Sequence, residues 1–406
     1  MPMTRDVLVS GIGLVSSLGE GIGAHLSLME GGRAIQPVLE TERFTPNVVH
    51  PLPALDWSAQ IPKKGDQRQM ETWQRLGVYA AGLALADAGI SPDEQTRSGV
   101  DMIVAAGGGE RDPAVDALVM QRLRGVDDRG PLLNEVLSSE LRPTLFLAQL
   151  SNLMAGNISI VHKVTGSSRT FMGEEGAGIS AVETAAARIA AGQSDVCLVG
   201  GAFSAERLDL LVNYELGGFL SPGDWRPVFS RGEPGALVPG SVGAFLVLES
   251  AEHAAARSAP GYARLDHVAG DRGPRDADAL EKRIAGLIEA SEAAQADLLV
   301  LSGATGLGAL VAAERAALAS AVPGAPLRAY GSLLGHAFEA HFLAGLALGA
   351  GLLSKGIMPA PFGGGGEEAA ADFAPRAALV TGVGHARSEG VALLSAIGPG
   401  AQERSA

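Results

Sequence analysis

The sequence predicts an α/β protein whose sheet is covered by helices on both faces, and three observations predict it. Short apolar runs recur along the chain, each ending on a glycine turn: Asp6-Val-Leu-Val-Ser-Gly11, Asp195-Val-Cys-Leu-Val-Gly-Gly201, Asp297-Leu-Leu-Val-Leu-Ser-Gly303 and Ala377-Ala-Leu-Val-Thr-Gly382. Unbroken runs of this kind suit strands buried on both faces, and glycine turns the chain where a side chain would clash. Between these runs lie stretches of helical pattern, so strands and helices alternate. Finally, 47% of the 406 residues are hydrophobic, enough to fill a large interior.

Taken in order, the first strand candidate is followed by Gly11-Ile-Gly13, which invites a dinucleotide reading. The chain continues Leu14-Val-Ser16 with no third glycine in place, so that reading is set aside. Residues 36 to 64 carry five prolines and little periodicity, and Leu220 to Gly243 is rich in Gly, Pro and Arg; both are expected to be functional surface loops. The helical patterns are Gln69 to Ala88, closed by Gly89, then Arg142 to Val161, Ala277 to Ala294 and His336 to Leu353. Gly363-Gly-Gly-Gly-Glu-Glu368 reads as a flexible loop without phosphate-binding spacing. The likeness of Asp6-Val-Leu-Val-Ser-Gly11 to Asp297-Leu-Leu-Val-Leu-Ser-Gly303 points to two similar halves, here divided as 1–255 and 256–406.

Composition narrows the function. The net charge is −14 with no basic tail, which argues against nucleic acid or an anionic membrane as the main partner. The single cysteine, Cys197, excludes an intramolecular disulfide and the paired-cysteine metal spacings, and fits a reducing compartment. It lies in an apolar strand candidate, which makes it a buried structural thiol. No signal peptide is read at Met1-Pro-Met-Thr-Arg5, and the longest apolar stretch, Phe342 to Leu353, is too short for a bilayer. A cytoplasmic protein without cofactor or metal is expected.

The stretch that carries chemistry is Arg169-Thr-Phe-Met-Gly-Glu-Glu-Gly-Ala-Gly178, an apolar run that turns through three glycines and opens a helix. From Ile179 the apolar residues recur at Val182, Ala186 and Ile189, the spacing of a one-faced helix, so Glu174 and Glu175 sit at its N-terminus. Strand, tight turn and buried helix is where many α/β enzymes hold a nucleophile, since the turn pushes one side chain into a cavity and the helix dipole stabilises its anion. Here that residue is the carboxylate of Glu175, which otherwise reads as a solvated turn residue.

Together these landmarks resemble a β-ketoacyl-acyl carrier protein synthase of the elongating type, a thiolase-fold condensing enzyme. Val7-Leu-Val-Ser-Gly-Ile-Gly-Leu-Val-Ser-Ser-Leu-Gly19 is similar to the family's opening strand and turn, and Gln67-Arg-Gln-Met-Glu71 with Ala80-Ala-Gly-Leu-Ala-Leu-Ala-Asp-Ala-Gly89 to its first long helix. Asn152-Leu-Met-Ala-Gly-Asn-Ile-Ser-Ile160, Asp195-Val-Cys-Leu-Val-Gly-Gly-Ala202 and Val242-Gly-Ala-Phe-Leu-Val-Leu-Glu249 follow in the expected order. The resemblance implies a five-layered αβαβα architecture, two pseudo-duplicated halves and a dimer.

Carried over residue by residue, the resemblance puts the acylated cysteine at Glu175 and the first catalytic histidine at Ser302, and keeps the second as His336 after Gly335. A family lysine falls on Gly331. The substrate tunnel is assigned Met172, Val383 at the gate position, and His385 where the family has glycine. Lys63, Lys64 and Arg68 match the family's docking patch for acidic acyl carrier protein, and read otherwise as a solvated helix start. Condensation needs a thiolate that holds the acyl chain as a thioester and donors for the enolate. Attack by a carboxylate on a thioester would instead give a mixed anhydride, higher in energy and quickly hydrolysed. The expected function is therefore a non-condensing subunit, similar to the chain length factors of polyketide systems, that pairs with a cysteine-bearing ketosynthase in fatty acid or polyketide biosynthesis. The alternative is a malonyl-carrier decarboxylase, or a weak acyltransferase, using His336 and His385, with His336 otherwise a packing residue and self-pairing the other dimer. Gln67-Arg-Gln-Met-Glu-Thr-Trp-Gln-Arg-Leu-Gly77 further resembles ketosynthase-like proteins of very-long-chain acyl synthesis in rhizobial-type bacteria.

Overall fold

The computed structural model describes residues 5–220, 223–293, 296–363 and 367–398. Ten strands build the sheet: β1 Val7–Ser16, β2 Asp101–Ala105, β3 Ser168–Phe171, β4 Val196–Phe203, β5 Val242–Ser250, β6 Ala263–Asp271, β7 Leu298–Ser302, β8 Leu327–Ala329, β9 Ala377–Val383 and β10 Glu389–Ser395, with a short hairpin pair Gly19–Glu20 on β1. The first five run β3-β2-β4-β5-β1, and the last five run β8-β7-β9-β10-β6. In each half the second strand is parallel to the third and fourth, and the fifth is antiparallel to the fourth and to the first. Identical order and sense establish two pseudo-duplicated halves, as the resemblance implied. They join through an antiparallel contact of β1 with β6, Val7 opposite Leu265 to Val9 opposite Ala263.

The duplication has a different register from the one read in the sequence. Asp6 to Gly11 enters the first strand of its half, whereas Asp297 to Gly303 enters the second, whose counterpart is β2. A shared need for a strand buried on both faces made the two segments alike.

Helices α1 Gly21–Met29, α2 Thr72–Asp87, α3 Leu153–His162, α4 Glu175–Ala190, α5 Leu208–Leu216, α6 Ala277–Ala290, α7 Gly308–Ala321 and α8 His341–Lys355 complete the layers. α2 and α3 cover the outer face of the first half in one core, with Trp73, Leu76, Tyr79 and Met154. α4 and α8 fill the middle between the two halves, and α6 and α7 close the far side around Leu280, Ile284, Leu310 and Leu318. The Gly11-Ile-Gly13 stretch serves this packing: a Cβ on Gly13 would lie 1.9 Å from the Ala80 carbonyl oxygen of α2. α8 is buried on every face from His341 to Leu353, which accounts for its all-round apolar sequence. Among the described residues no helix is long and apolar enough to cross a membrane.

Several helix bounds differ from the pattern. The expected Gln69–Ala88 helix is split by an extended Met70, because Glu71 and Gln74 form a capping box that starts α2 afresh. Arg142–Val161 is two helices, a four-residue turn Leu145–Ala148 and α3, separated by i→i+3 turns through Gln149, Ser151 and Asn152. α6 stops at Ala290, where Ser291 caps it and Glu292 takes a left-handed φ of 54°; Ala294 lies outside the described residues. His336 to Ala340 precede α8 as a loop and a 3₁₀ turn, with Phe338 at a φ of 41°. The second part of Leu220–Gly243 is interior, with Val228, Phe229, Leu237 and Ser241 buried, and 221–222 lie outside the described residues. So do 364–366 of the glycine loop.

Candidate active site

β3 ends at Phe171, Gly173 turns at a φ of 131°, and Glu174 sits at φ 56° and ψ −132°, after which α4 begins at Glu175. A non-glycine residue held there carries strain of about 1–3 kcal/mol, which the surrounding structure must hold. The turn sends the Glu175 side chain inward, where the residue is 2% exposed.

Three donors converge on one oxygen. Glu175 Oε1 accepts from His336 Nε2 at 2.6 Å, from His385 Nδ1 at 2.9 Å and from the His385 backbone N–H at 3.1 Å. His336 is clamped by its backbone, donating to the Val238 carbonyl at 2.8 Å and accepting from the Gly240 N–H at 3.0 Å. His385 follows β9 and meets Phe219, Phe338 and Tyr214 edge to face, with ring centroids 4.9, 5.4 and 5.6 Å away. Its Nε2 lies 3.7 Å from Glu174 Oε1.

Burial alone would push the Glu175 carboxyl up, but the hydrogen bonds of His336 and His385, with the positive charge on the His385 side, outweigh it and hold it well below the carboxylate range. For His385, burial is outweighed by the hydrogen bond and charge of Glu175, and its pKa is raised. For His336 burial wins and the pKa falls despite Glu175. Its Nδ1 has no partner among the described residues, so the hydrogen-bond pattern assigns a neutral ring with its proton on Nε2. The cluster is thus a buried carboxylate that favours the protonated form of His385, beside a His336 ring that burial keeps neutral.

The same three residues are the one group of zinc-type donors within reach of each other among the described residues. Their contacts are those of hydrogen bonds: the shared oxygen already accepts three, and tetrahedral ligand atoms stand about 3.3 Å apart at a metal–ligand distance of about 2.0–2.1 Å. A cation could bind only by displacing those protons.

Opposite signs of the two histidine shifts set a pH dependence. A depressed carboxyl stabilises the fold above its ordinary value, about 4.3, and loses this as pH falls through its folded value. A raised His385 stabilises fully below about 6.5 and loses this as pH rises through its folded value, while a depressed His336 does the reverse. The melting-temperature gap between the wild type and His385→Gln should therefore narrow as pH rises from 5.5 to 9.5, and the gap for His336→Gln should widen. A His385→Gln gap that grows with pH would contradict a protonated His385.

Ser302 is buried but faces elsewhere. Its hydroxyl donates to Glu314 Oε1 at 3.0 Å and accepts from the Ala304 N–H at 3.2 Å, with no hydrogen bond to the Glu175 cluster among the described residues. Burial pushes Glu314 up to about 7, and Thr381 also donates to it. At Gly331, a Cβ would stand 3.5 Å from Cε1 of His341, whose ring packs 4.4 Å from that of His336. His341 thus takes the room beside the position where the resemblance expects lysine. Neither Glu314 nor His341 was singled out from sequence; the signal was a polar residue on a largely apolar helix, at 314 on α7 and 341 on α8.

The remaining site residues scatter. Met172 is 65% exposed on this chain, whereas Val383 packs in the outer core of the second half with Leu379 and Val391. Lys63, Lys64 and Arg68 are exposed at the short helix Lys64–Gln69, outside the cluster.

Residues 4–254 match the family model described as the N-terminal domain of β-ketoacyl synthase. The chain is 29% identical over 285 residues to a 3-oxoacyl-[acyl-carrier-protein] synthase 2 of Rhizobium meliloti, a match spanning 64% of this chain and 63%, under two thirds, of that protein. It is 31% identical over 343 residues to the tetracenomycin polyketide synthase ketoacyl synthase beta subunit of Streptomyces glaucescens, covering 80% of each. Among solved structures, the ishigamide ketosynthase/chain length factor superposes with a TM-score of 0.78 over 97% of this chain and 100% of that chain, at 21% identity, a likeness of fold.

Proposed function

We propose that this chain, which belongs to the β-ketoacyl synthase family, is a non-condensing subunit of the chain-length-factor kind that pairs with a cysteine-bearing 3-oxoacyl-acyl carrier protein synthase. The observation that carries this is Glu175: at the point where the family holds its nucleophile, one carboxylate oxygen accepts three hydrogen bonds and the group is ionised. A nucleophile needs a free lone pair aimed at the acyl carbon; here one carboxylate oxygen is engaged by three donors and the side chain is buried. Ser302 gives its hydroxyl hydrogen to Glu314, so it offers no donor to an enolate oxygen at Glu175.

Decarboxylation of malonyl-carrier protein through His336 and His385 is the second reading, supported by two N–H groups aimed into the site. Against it stands the ionised Glu175, which occupies both donors and repels a malonyl carboxylate. Pairing with another subunit is supported by β3, the terminal strand of its half, whose outer edge has no strand partner among the described residues.

Coexpression with a cysteine-bearing ketosynthase followed by native mass measurement tests the proposal: a one-to-one heterodimer is expected, and a homodimer that excludes the second chain would overturn it. Carrier docking is a separate property, for which the exposed Lys63, Lys64 and Arg68 supply positive charge on an acidic chain. The pair Lys63→Glu and Arg68→Glu should weaken carrier binding about tenfold at low salt, read by fluorescence anisotropy. Equal affinity would place docking elsewhere.

A further inference from the structure

The two loops that composition marks as functional surface, 36–64 and Leu220–Gly243, share a cavity of about 520 Å³ whose lining includes none of Glu175, His336 and His385. Three buried polar atoms of its lining residues have no hydrogen-bond partner among the described residues: Nη2 of Arg231, Nε1 of Trp225 and Oδ1 of Asn47. Arg231 is tied down on its other side, where Nε donates to the Arg226 carbonyl at 3.0 Å and Nη1 to the Ala236 and Thr305 carbonyls at 2.9 and 3.4 Å. Neutral carbonyls accept its hydrogen bonds and leave its charge uncompensated.

Burial pulls the Arg231 guanidinium down to about 9, so it keeps its proton at neutral pH, and no carboxylate contributes to that shift. His50 and His336, two histidines that feel its charge, are themselves held below the usual range by burial. Of the acids that line the cavity, Glu233 lays its carboxyl beside Gly308, where an added Cβ would meet it at 2.5 Å, and the exposed Asp224 is matched in charge by the exposed Arg226. A buried cation without a counter-ion is costly, and a guanidinium with an indole N–H in the same cavity is a donor set for an oxyanion. Asn47, 6% exposed, adds a condition. Its Nδ2 donates to Glu215 Oε2 at 2.9 Å, which leaves Oδ1 as the free atom, and a carbonyl oxygen can only accept. A ligand that completes the site therefore brings negative oxygens and a hydroxyl.

We propose that this cavity binds a small oxyanion that carries its own hydroxyl, inorganic phosphate being the simplest, with Arg231 and Trp225 donating to its oxygens and Asn47 accepting from its P–OH. This goes beyond the role proposed above and holds whether or not the chain condenses.

The test is calorimetric titration of the full chain at pH 7 with inorganic phosphate, using sulfate and dimethyl phosphate as oxyanions that have no hydroxyl. Phosphate should bind at one saturable site, at least about tenfold tighter than either, because both would leave the Asn47 oxygen buried and unpaired. Free phosphate is thereby told apart from a phosphodiester. Arg231→Gln should abolish binding. Because Arg231 also ties three backbone carbonyls, Trp225→Phe is the second variant: its indole N–H bonds nothing among the described residues, so the melting temperature should be kept while phosphate weakens about tenfold. Absent phosphate binding, sulfate or dimethyl phosphate binding as tightly, or an affinity unchanged in Trp225→Phe would each overturn the assignment.

Discussion

His385→Ala is expected to destabilise the chain by about 3–5 kcal/mol, the loss typical of breaking a buried ion pair from one side. The variant leaves the carboxylate of Glu175, 2% exposed, with His336 as its remaining side-chain donor and no cation beside it. The double variant Glu175→Gln with His385→Ala removes the stranded charge and should recover part of that loss, so the two changes are far from additive. Met172→Ala, at a residue 65% exposed, should shift stability by no more than about 0.5 kcal/mol and serves as the reference. Denaturant titration of the set reads the coupling; strict additivity would mean that the pair is not charged.

Glu175→Cys should restore a reactive thiol without restoring condensation. A cysteine at the first position of α4 gains from the helix N-terminus and has His336 and His385 within reach, so alkylation by iodoacetamide is expected near neutral pH. The enolate formed from malonyl-carrier protein then has His336 Nε2 to stabilise it, while Ser302 stays bound to Glu314. Loss of one such donor typically lowers rate by about a hundredfold to a thousandfold, and β-ketoacyl-carrier product should fall at least that far below a cysteine-bearing synthase. Product within tenfold of such a synthase would show that Ser302 is not the deficit.

The elbow was legible because its residues obey local rules: a strand, glycines where the chain reverses, and apolar spacing from Ile179 onward. Its partners are not local. His336 and His385 come 161 and 210 residues after Glu175, and only the family resemblance pointed to them. Nothing in the spacing of those residues says that both would bond one oxygen, or that burial would lower one histidine while a carboxylate raised the other. The missed strands have similar reasons. β6 mixes buried Ala263 and Leu265 with the more exposed Arg264 and Asp266, and β10 begins on Glu389, whose two arginine partners, Arg275 and Arg283, lie over a hundred residues before it. The resemblance gave Val383 the gate position, and nothing in the sequence said that its side chain would share an outer core with Leu379, on one of the two faces between which the residues of β9 alternate.

The ionised Glu175 also bears on how this family member differs from a damaged enzyme. A carboxylate placed at random beside a helix start would stay protonated when buried. Here two histidines and a backbone N–H hold it charged, and His341 fills the room beside Gly331. On the proposed reading the site is rebuilt around the carboxylate, with Glu175 as a hydrogen-bonded plug where the resemblance places the nucleophile.

The most direct measurement is to incubate the purified chain with malonyl-carrier protein and with acyl-carrier protein and follow the intact carrier masses, with Glu175→Gln and His336→Ala beside it. A non-condensing subunit leaves every carrier mass unchanged in all three proteins. Conversion of malonyl-carrier to acetyl-carrier by the wild type, lost in His336→Ala, would contradict the account and make the site a decarboxylase.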